Sequence, residues 1–371
     1  MKKIYPNEPC PCGSGLKFKK CKCEEFHSKR SIQNIDVPEG LKVLKLQKFE
    51  EDTFLEIASF AREIYRAEKR IYGSSLKRVT PTIIKSDKLV AVGRYGTGGS
   101  QIIISSGFIS RYHSLVEERF PDSIIEKFFK IEKGDSVRRK IFETIIKKTV
   151  LHEYYHWFRG HGFWGADHNP PIEGKATEEQ RFLYNIKQQS IEYDADRYAI
   201  NMLVKMMPEN GVQEDDVLCD LLAFSTITYR ANKDQSSGEG YDFKNYKSRL
   251  IQTHPLPAVR FYYLQRYYLK KIEEAKIFQD FEKIRKEAVS AAYEIEKSIA
   301  STEERTFVFM DTAHTEKALV WLSAVVSNLG RLKGELSSYS EIDYLGVPEP
   351  WERNYPNEDI WFNDDGSPID L

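Results

Sequence analysis

Long apolar runs are missing from this 371-residue chain. Nothing in it approaches the ~18–20 consecutive apolar residues that cross a bilayer, so no membrane partner is expected. Charge of one sign is missing too. The 55 basic and 56 acidic residues leave a formal net charge of −1. That balance lacks the global electrostatic footprint of a nucleic-acid binder, and no specific DNA binding is expected. Cysteine is scarce at five residues, and only Cys219 lies outside the first 23 positions. A disulfide framework for the body of the chain is thereby excluded. No secretory signal or lipidation motif is evident, so a cytoplasmic location with reduced thiols is expected. Glycine and proline are absent from 135–159, which leaves room for one long uninterrupted helix.

That helix carries His152-Glu153-Tyr154-Tyr155-His156. Residues four apart stand one turn apart on the same helix face, so both imidazoles can reach one ion. Glu153 beside them can take a proton from a metal-bound water. The pentad is short enough to arise by accident of composition, and its other reading is a solvated polar face. The preceding Ile141, Phe142, Ile145, Ile146 and Val150 argue against that reading, because they give a broad apolar face fit for burial. A buried helix bearing two His and a Glu needs a reason to hold them, and a metal supplies one.

A catalytic zinc requires a third protein ligand and an open fourth position. His161 is one option. The metzincin spacing fails, because Arg159 and Gly162 stand where Gly and His would be needed. The second option is Glu192, on a further helical run that starts near Thr177. Glu192 and Asp196 are four apart and share a face. In this reading Glu192 ligates while Asp196 accepts a ring N–H from a ligating histidine and fixes its tautomer. The competing reading is an acidic solvated helix surface.

Taken together, His152-Glu153-x-x-His156 and Glu192-x-x-x-Asp196 resemble the gluzincin zinc metallopeptidases. Thr253-His254-Pro255 with Arg260 resembles the Thr-His-Pro…Arg segment of M48-type peptidases. That resemblance implies that His254 and Arg260 stabilise an oxyanion or support the zinc site; otherwise His254 is a turn residue before proline. The M48-type enzymes are often membrane-embedded, so the soluble phage-exclusion peptidases of the Lit type are the better likeness. The resemblance implies a zinc-dependent endopeptidase acting on a protein or peptide substrate, with catalytic residues Glu153, His254 and Arg260 and a catalytic zinc on His152, His156 and Glu192. A role in phage defence is implied by the Lit-type likeness.

The N-terminus holds two Cys-x-Cys pairs, Cys10/Cys12 and Cys21/Cys23, around Gly13-Ser14-Gly15. Four thiolates can close a tetrahedral structural zinc site with no open position for substrate. Pro6-Asn7-Glu8-Pro9-Cys10-Pro11-Cys12-Gly13-Ser14-Gly15 resembles the SEC-C motif, which implies a second, structural zinc and a module that docks on a protein or the ribosome. The first thirty residues carry eight Lys/Arg against three Glu, a modest positive charge suited to such docking. A non-catalytic interaction protein working through this module is the alternative to the enzyme.

The expected class is α+β, predominantly helical: a zincin-like domain whose small sheet precedes the active-site helix, plus the zinc module. Its organisation is expected as 1–27 SEC-C module, 28–48 linker, 49–270 zincin-like domain and 271–371 helical region and tail. Helical periodicity covers 49–72, 107–131, 213–234 and 257–300, with Phe261, Tyr262, Tyr263, Tyr267 and Tyr268 as core. Strands are expected at 80–84, 88–95 and 101–105, with Gly96-Thr97-Gly98-Gly99 as a hairpin turn. Residues 101–105 are expected to form a sheet edge open to substrate. The segment 160–171 reads as a loop near the metal, in which His161, Asp167 and His168 either touch substrate or a second ion or provide simple polarity.

Overall fold

The computed structural model describes residues 48–72, 79–88, 90–94, 100–129, 134–167, 177–207, 212–235 and 257–302, with 325, 328, 329, 332, 335 and 336 further on. The chain divides into two compact units, Met1–Val43 and Leu44–Leu371, and every described residue belongs to the second. Cys10, Cys12, Cys21, Cys23, the 28–47 segment, the Gly96–Gly99 turn, His168 and His254 lie outside the described residues.

Among the described residues the protein is predominantly helical with one three-stranded sheet. Helix α1 (Lys48–Tyr72) precedes strands β1 (Val79–Ile84), β2 (Ala91–Arg94) and β3 (Ser100–Ser105). Then come α2 (Ser106–Arg119), α3 (Asp122–Phe128), α4 (Gly134–Phe158), α5 (His161–Asp167), α6 (Glu178–Lys205), α7 (Glu214–Gln235), α8 (Pro257–Ala275) and α9 (Phe281–Thr302). No helix among the described residues is long and apolar enough to cross a membrane.

The sheet order is β1-β3-β2, with β1 parallel and β2 antiparallel to β3. The expectation that 101–105 forms an edge is therefore wrong: β3 is the central strand. It pairs on both sides, and its burial agrees with that position. Ile102, Ile103 and Ile104 are consecutive and all but fully buried. Neighbouring strand residues point to opposite faces, so three buried in a row mean that both faces are covered. Each such burial is worth about 1.5–3 kcal/mol, which places this strand in the interior. The edge beside α4 is β2, registered Ala91↔Ile104 to Arg94↔Gln101.

Ser105 ends β3 and caps α2, its hydroxyl accepting the Phe108 N–H at 3.0 Å. The same hydroxyl accepts Val90 N–H and donates to Lys88 O, so the β1–β2 connection is sewn to the start of α2. Gly107 is required there, because a Cβ would sit 2.6 Å from the Asp87 backbone.

Helix α4 is the central rod. It packs against α6, α7 and α2 and meets both β2 and β3. Ile141, Ile145, Val150, Leu151 and Phe158 are fully buried on it. Helix α6 begins as expected at Thr177, whose side chain and Gln180 form a reciprocal capping box. The 107–131 expectation splits at Pro121, which has no N–H to continue α2 and instead precedes α3. The 257–300 expectation also splits. Lys276 turns left-handed at φ 53°, and Asp280 Oδ1 then accepts Lys283 N–H at 3.2 Å to start α9. The aromatic set on α8 is buried as expected.

Candidate metal centre

The His-Glu-x-x-His stretch lies near the C-terminus of α4, and Glu192 lies in the middle of α6, the helix packed beside it. His152 Nε2 and His156 Nε2 are 3.0 Å apart. Glu192 completes the triangle, its Oε2 3.2 Å from His152 Nε2 and its Oε1 3.3 Å from His156 Nε2. These three side chains are the group of metal-donor residues that converges among the described residues, with ligand atoms within 4.8 Å of one another.

The donor set fits zinc on chemistry and on size. Two imidazole nitrogens and a carboxylate are the His₂Glu set of catalytic zinc sites. Ligand atoms 2.0–2.2 Å from a tetrahedral ion stand about 3.3–3.6 Å apart, and the observed edges of 3.0, 3.2 and 3.3 Å are within a few tenths of an ångström of that. Local charge agrees: three carboxylates (Glu153, Glu192, Asp196) face two cations (Lys148, Arg260). Burial works to lower the proton affinity of His156, but Glu192, Glu153 and Asp196 outweigh it and raise it. The cluster therefore attracts a positive charge between its donors.

Asp196 stands one turn beyond Glu192 and has no solvent exposure. Its Oδ1 lies 2.8 Å from His152 Nδ1. It also accepts Lys148 Nζ at 2.5 Å, Arg260 Nε at 2.9 Å and Nη2 at 3.0 Å, and Tyr263 OH at 2.6 Å. Burial opposes its charge, yet Arg260, Lys148 and His152 hold its carboxyl well below the usual range. Burial pushes the Lys148 ammonium down to about 8, with Asp196 pulling the other way. Arg260 thus anchors the acid beside the donors, its Nη2 3.9 Å from Glu192 Oε2.

Glu153 Oε2 accepts the Gly93 N–H of β2 at 2.8 Å. Val90 O accepts Ser105 N–H at 2.8 Å, so in an antiparallel ladder Val90 and Val92 turn their polar groups toward β3, and Ala91 and Gly93 turn theirs outward. The candidate base is thus tied to the outer side of an edge strand.

The 160–171 loop expectation is corrected. Residues 161–167 form α5. Gly160, at φ 71°, makes the left-handed turn that ends α4 and brings the chain back beside it. His161 is 4% exposed and faces neither solvent nor the donor triangle. Its Nδ1 lies 3.1 Å from His156 Nδ1, and its Nε2 lies 3.1 Å from Asp194 Oδ2. Asp167 ends α5.

Sequence reasoning missed Lys148, Arg159, Asp194, Tyr263 and Gly93. Asp194 was visible two residues after Glu192, but at 100° per residue it points away from the Glu192/Asp196 face. Its partners are Arg159, at the end of α4, and His161, which the Gly160 turn brings back.

Residues 7–25 match the SEC-C motif family, the stretch that carries all four N-terminal cysteines. No curated protein matches the chain, and no solved structure does.

Proposed function

We propose that the chain is a zinc-dependent endopeptidase with a zincin-like domain, acting on a specific cytoplasmic protein. The observation that carries this reading is the His152–His156–Glu192 triangle, with Glu153 immediately beside it on α4. A scaffold would need the ligands but not the base. His152, His156 and Glu192 would hold the ion, which polarises a scissile carbonyl and acidifies water when bound. Glu153 takes the proton of the attacking water and delivers it to the leaving amine. The Gly93 N–H holds one carboxylate oxygen and so orients the other for that transfer. Asp196 fixes the His152 ring and is itself held by Lys148, Arg260 and Tyr263. His254 is the proposed oxyanion donor. The small sheet with an antiparallel edge strand beside the ligand-bearing helix supports the zincin-like assignment.

Glu153→Gln tests the reading. The variant should keep the wild-type zinc content and far-UV spectrum and lose cleavage, read as neo-N-termini in a bacterial host expressing each form. Cleavage at the wild-type rate by the variant overturns the assignment. Growth inhibition by the wild type that disappears in the variant is expected of a Lit-type defence peptidase.

The SEC-C match supports a second reading, in which the protein acts by docking on a protein or the ribosome and the larger unit is a scaffold. Metal analysis separates the two. Two zinc ions per chain, one removed by mild chelation, are expected of the enzyme: one on His152, His156 and Glu192, one on Cys10, Cys12, Cys21 and Cys23. A single tightly held zinc is expected of the docking protein.

A further inference from the structure

The two ring nitrogens of His156 face different surroundings. Nε2 looks into the donor triangle. Nδ1 looks out of it, 3.1 Å from Nδ1 of His161. Across the His161 ring, Nε2 meets Asp194 Oδ2 at 3.1 Å, and the same oxygen accepts Arg159 Nε at 2.8 Å. His161, Asp194 and Arg159 are 4%, 0% and 1% exposed, so water does not substitute for these contacts.

The direction of each hydrogen bond follows from donor capacity. A carboxylate paired with a guanidinium only accepts. The proton between Asp194 and His161 therefore sits on His161 Nε2. A neutral imidazole carries one N–H, so His161 Nδ1 is left as an acceptor. The Nδ1···Nδ1 contact then requires its proton on His156 Nδ1. His156 Nε2 is left with its lone pair directed at the donor triangle. We propose that His161 is a positioning residue, anchored by Asp194 and Arg159, which sets the tautomer and ring orientation of the ligand His156.

This makes the two histidines equivalent by different means. Asp196 Oδ1 lies directly against His152 Nδ1 at 2.8 Å, and Asp194 reaches His156 through His161. Both acids come from α6, which also supplies Glu192. The relay exists because the chain reverses at Gly160, which places residue 161 on the far side of the ring at 156. Both ring nitrogens of His161 are engaged, by His156 and by Asp194, which leaves neither for substrate or a second ion, the functional roles open to His161 from sequence.

The inference rests on reading His152, His156 and Glu192 as a zinc site, and two measurements on the full-length protein separate the two. The first needs no variant. Long-range ¹⁵N–¹H correlation of the full-length protein at pH 7, with and without added zinc, should show His161 as the Nε2–H tautomer and His156 as the Nδ1–H tautomer. His161 found as Nδ1–H, or doubly protonated, overturns the proposal. A merely space-filling His161 has no such requirement.

The second is zinc affinity by competition with a chromophoric chelator, for wild type, His161→Gln and His161→Phe. Loss of an outer hydrogen-bond partner should weaken binding by roughly 10–100-fold in His161→Phe. His161→Gln keeps one acceptor and one donor and should retain most of the affinity. Wild-type affinity in a folded His161→Phe overturns the proposal, as does a His161→Gln that binds no better than His161→Phe. Should His161→Phe fail to fold, the tautomers and the Gln variant decide. If the wild type takes up no zinc beyond its N-terminal module, the metal reading fails, and the tautomers alone decide the role of His161.

Discussion

Asp196→Asn is the sharpest perturbation of the buried charge system. The substitution preserves shape and removes one charge. In the native protein that charge faces Lys148 at 2.5 Å, Arg260 at 2.9 and 3.0 Å, and the Tyr263 hydroxyl at 2.6 Å. Asp196 has no exposure and the Lys148 side chain only 2%, so neither can be rescued by solvent. Removing one partner of a buried pair leaves the other uncompensated, at a cost of about 3–5 kcal/mol. Two cations are stranded here, which favours the upper half of that range. The expected result is a fall of roughly three to four orders of magnitude in folding equilibrium constant, read by urea unfolding at pH 6 with an unchanged m-value. The deficit should shrink with pH. Lys148 already titrates at about 8 because burial lowers it, and Asp196 is among the groups that raise it. Without that carboxylate its folded pKa falls further below the unfolded value of ~10.4. A depressed lysine binds fewer protons folded than unfolded, so stability rises with pH across that gap. The variant therefore recovers stability relative to wild type between pH 6 and 8. Lys148→Met combined with Asp196→Asn should be less unstable than Asp196→Asn alone. A single variant within about 1 kcal/mol of wild type at pH 6 refutes the account of Asp196 as the hub, since an exposed pair costs no more than that.

Two further tests address elements that hold the site. Asp220 is buried between Thr144 Oγ1 at 2.7 Å and Tyr268 OH at 2.5 Å, and burial raises its carboxyl to about 6. The folded state then takes up a proton that the unfolded state lacks, so this group's contribution falls as pH rises from about 4 through 6. The melting temperature of Asp220→Asn relative to wild type should be higher at pH 7.5 than at pH 4.5; a difference independent of pH refutes that reading. Val325, Leu329, Leu332 and Leu336 are fully buried at 4-3-4 spacing, and Glu335 Oε2 accepts the Trp164 Nε1–H at 2.9 Å. Leu329→Ala should cost about 2–5 kcal/mol in urea unfolding, and a cost below about 1 would mean that this side chain is dispensable to the core.

How far the sequence could be read depended on whether a residue's partner lay on its own helix. His152/His156 and Glu192/Asp196 are each one turn apart, so their convergence needed only the helical period. The capping box at Thr177 and the aromatic core of α8 were legible for the same reason. Edge and centre of the sheet were not, since alternation says which face a residue takes and nothing about lateral order. Backbone pairing of β3 with both β1 and β2 decided it. The role of His161 was illegible because it depends on a single left-handed residue, Gly160, and on an acid from the other helix.

That dependence gives the arrangement its economy. Glu192, Asp194 and Asp196 are three acids on alternate positions of one helix, and a helix cannot aim all three at one point. Glu192 and Asp196 face α4 and act on the donor triangle and on His152. Asp194 faces away, and the chain returns to meet it: α4 ends at Phe158, Gly160 reverses the path, and His161 carries the effect of Asp194 back to His156. Arg159, in the same turn, neutralises Asp194 and fixes it as an acceptor. A residue with a Cβ at position 160 would strain the left-handed turn and displace Arg159 and His161 together. The geometry of the second ligand is therefore set by the end of the helix that bears it, as much as by the helix itself.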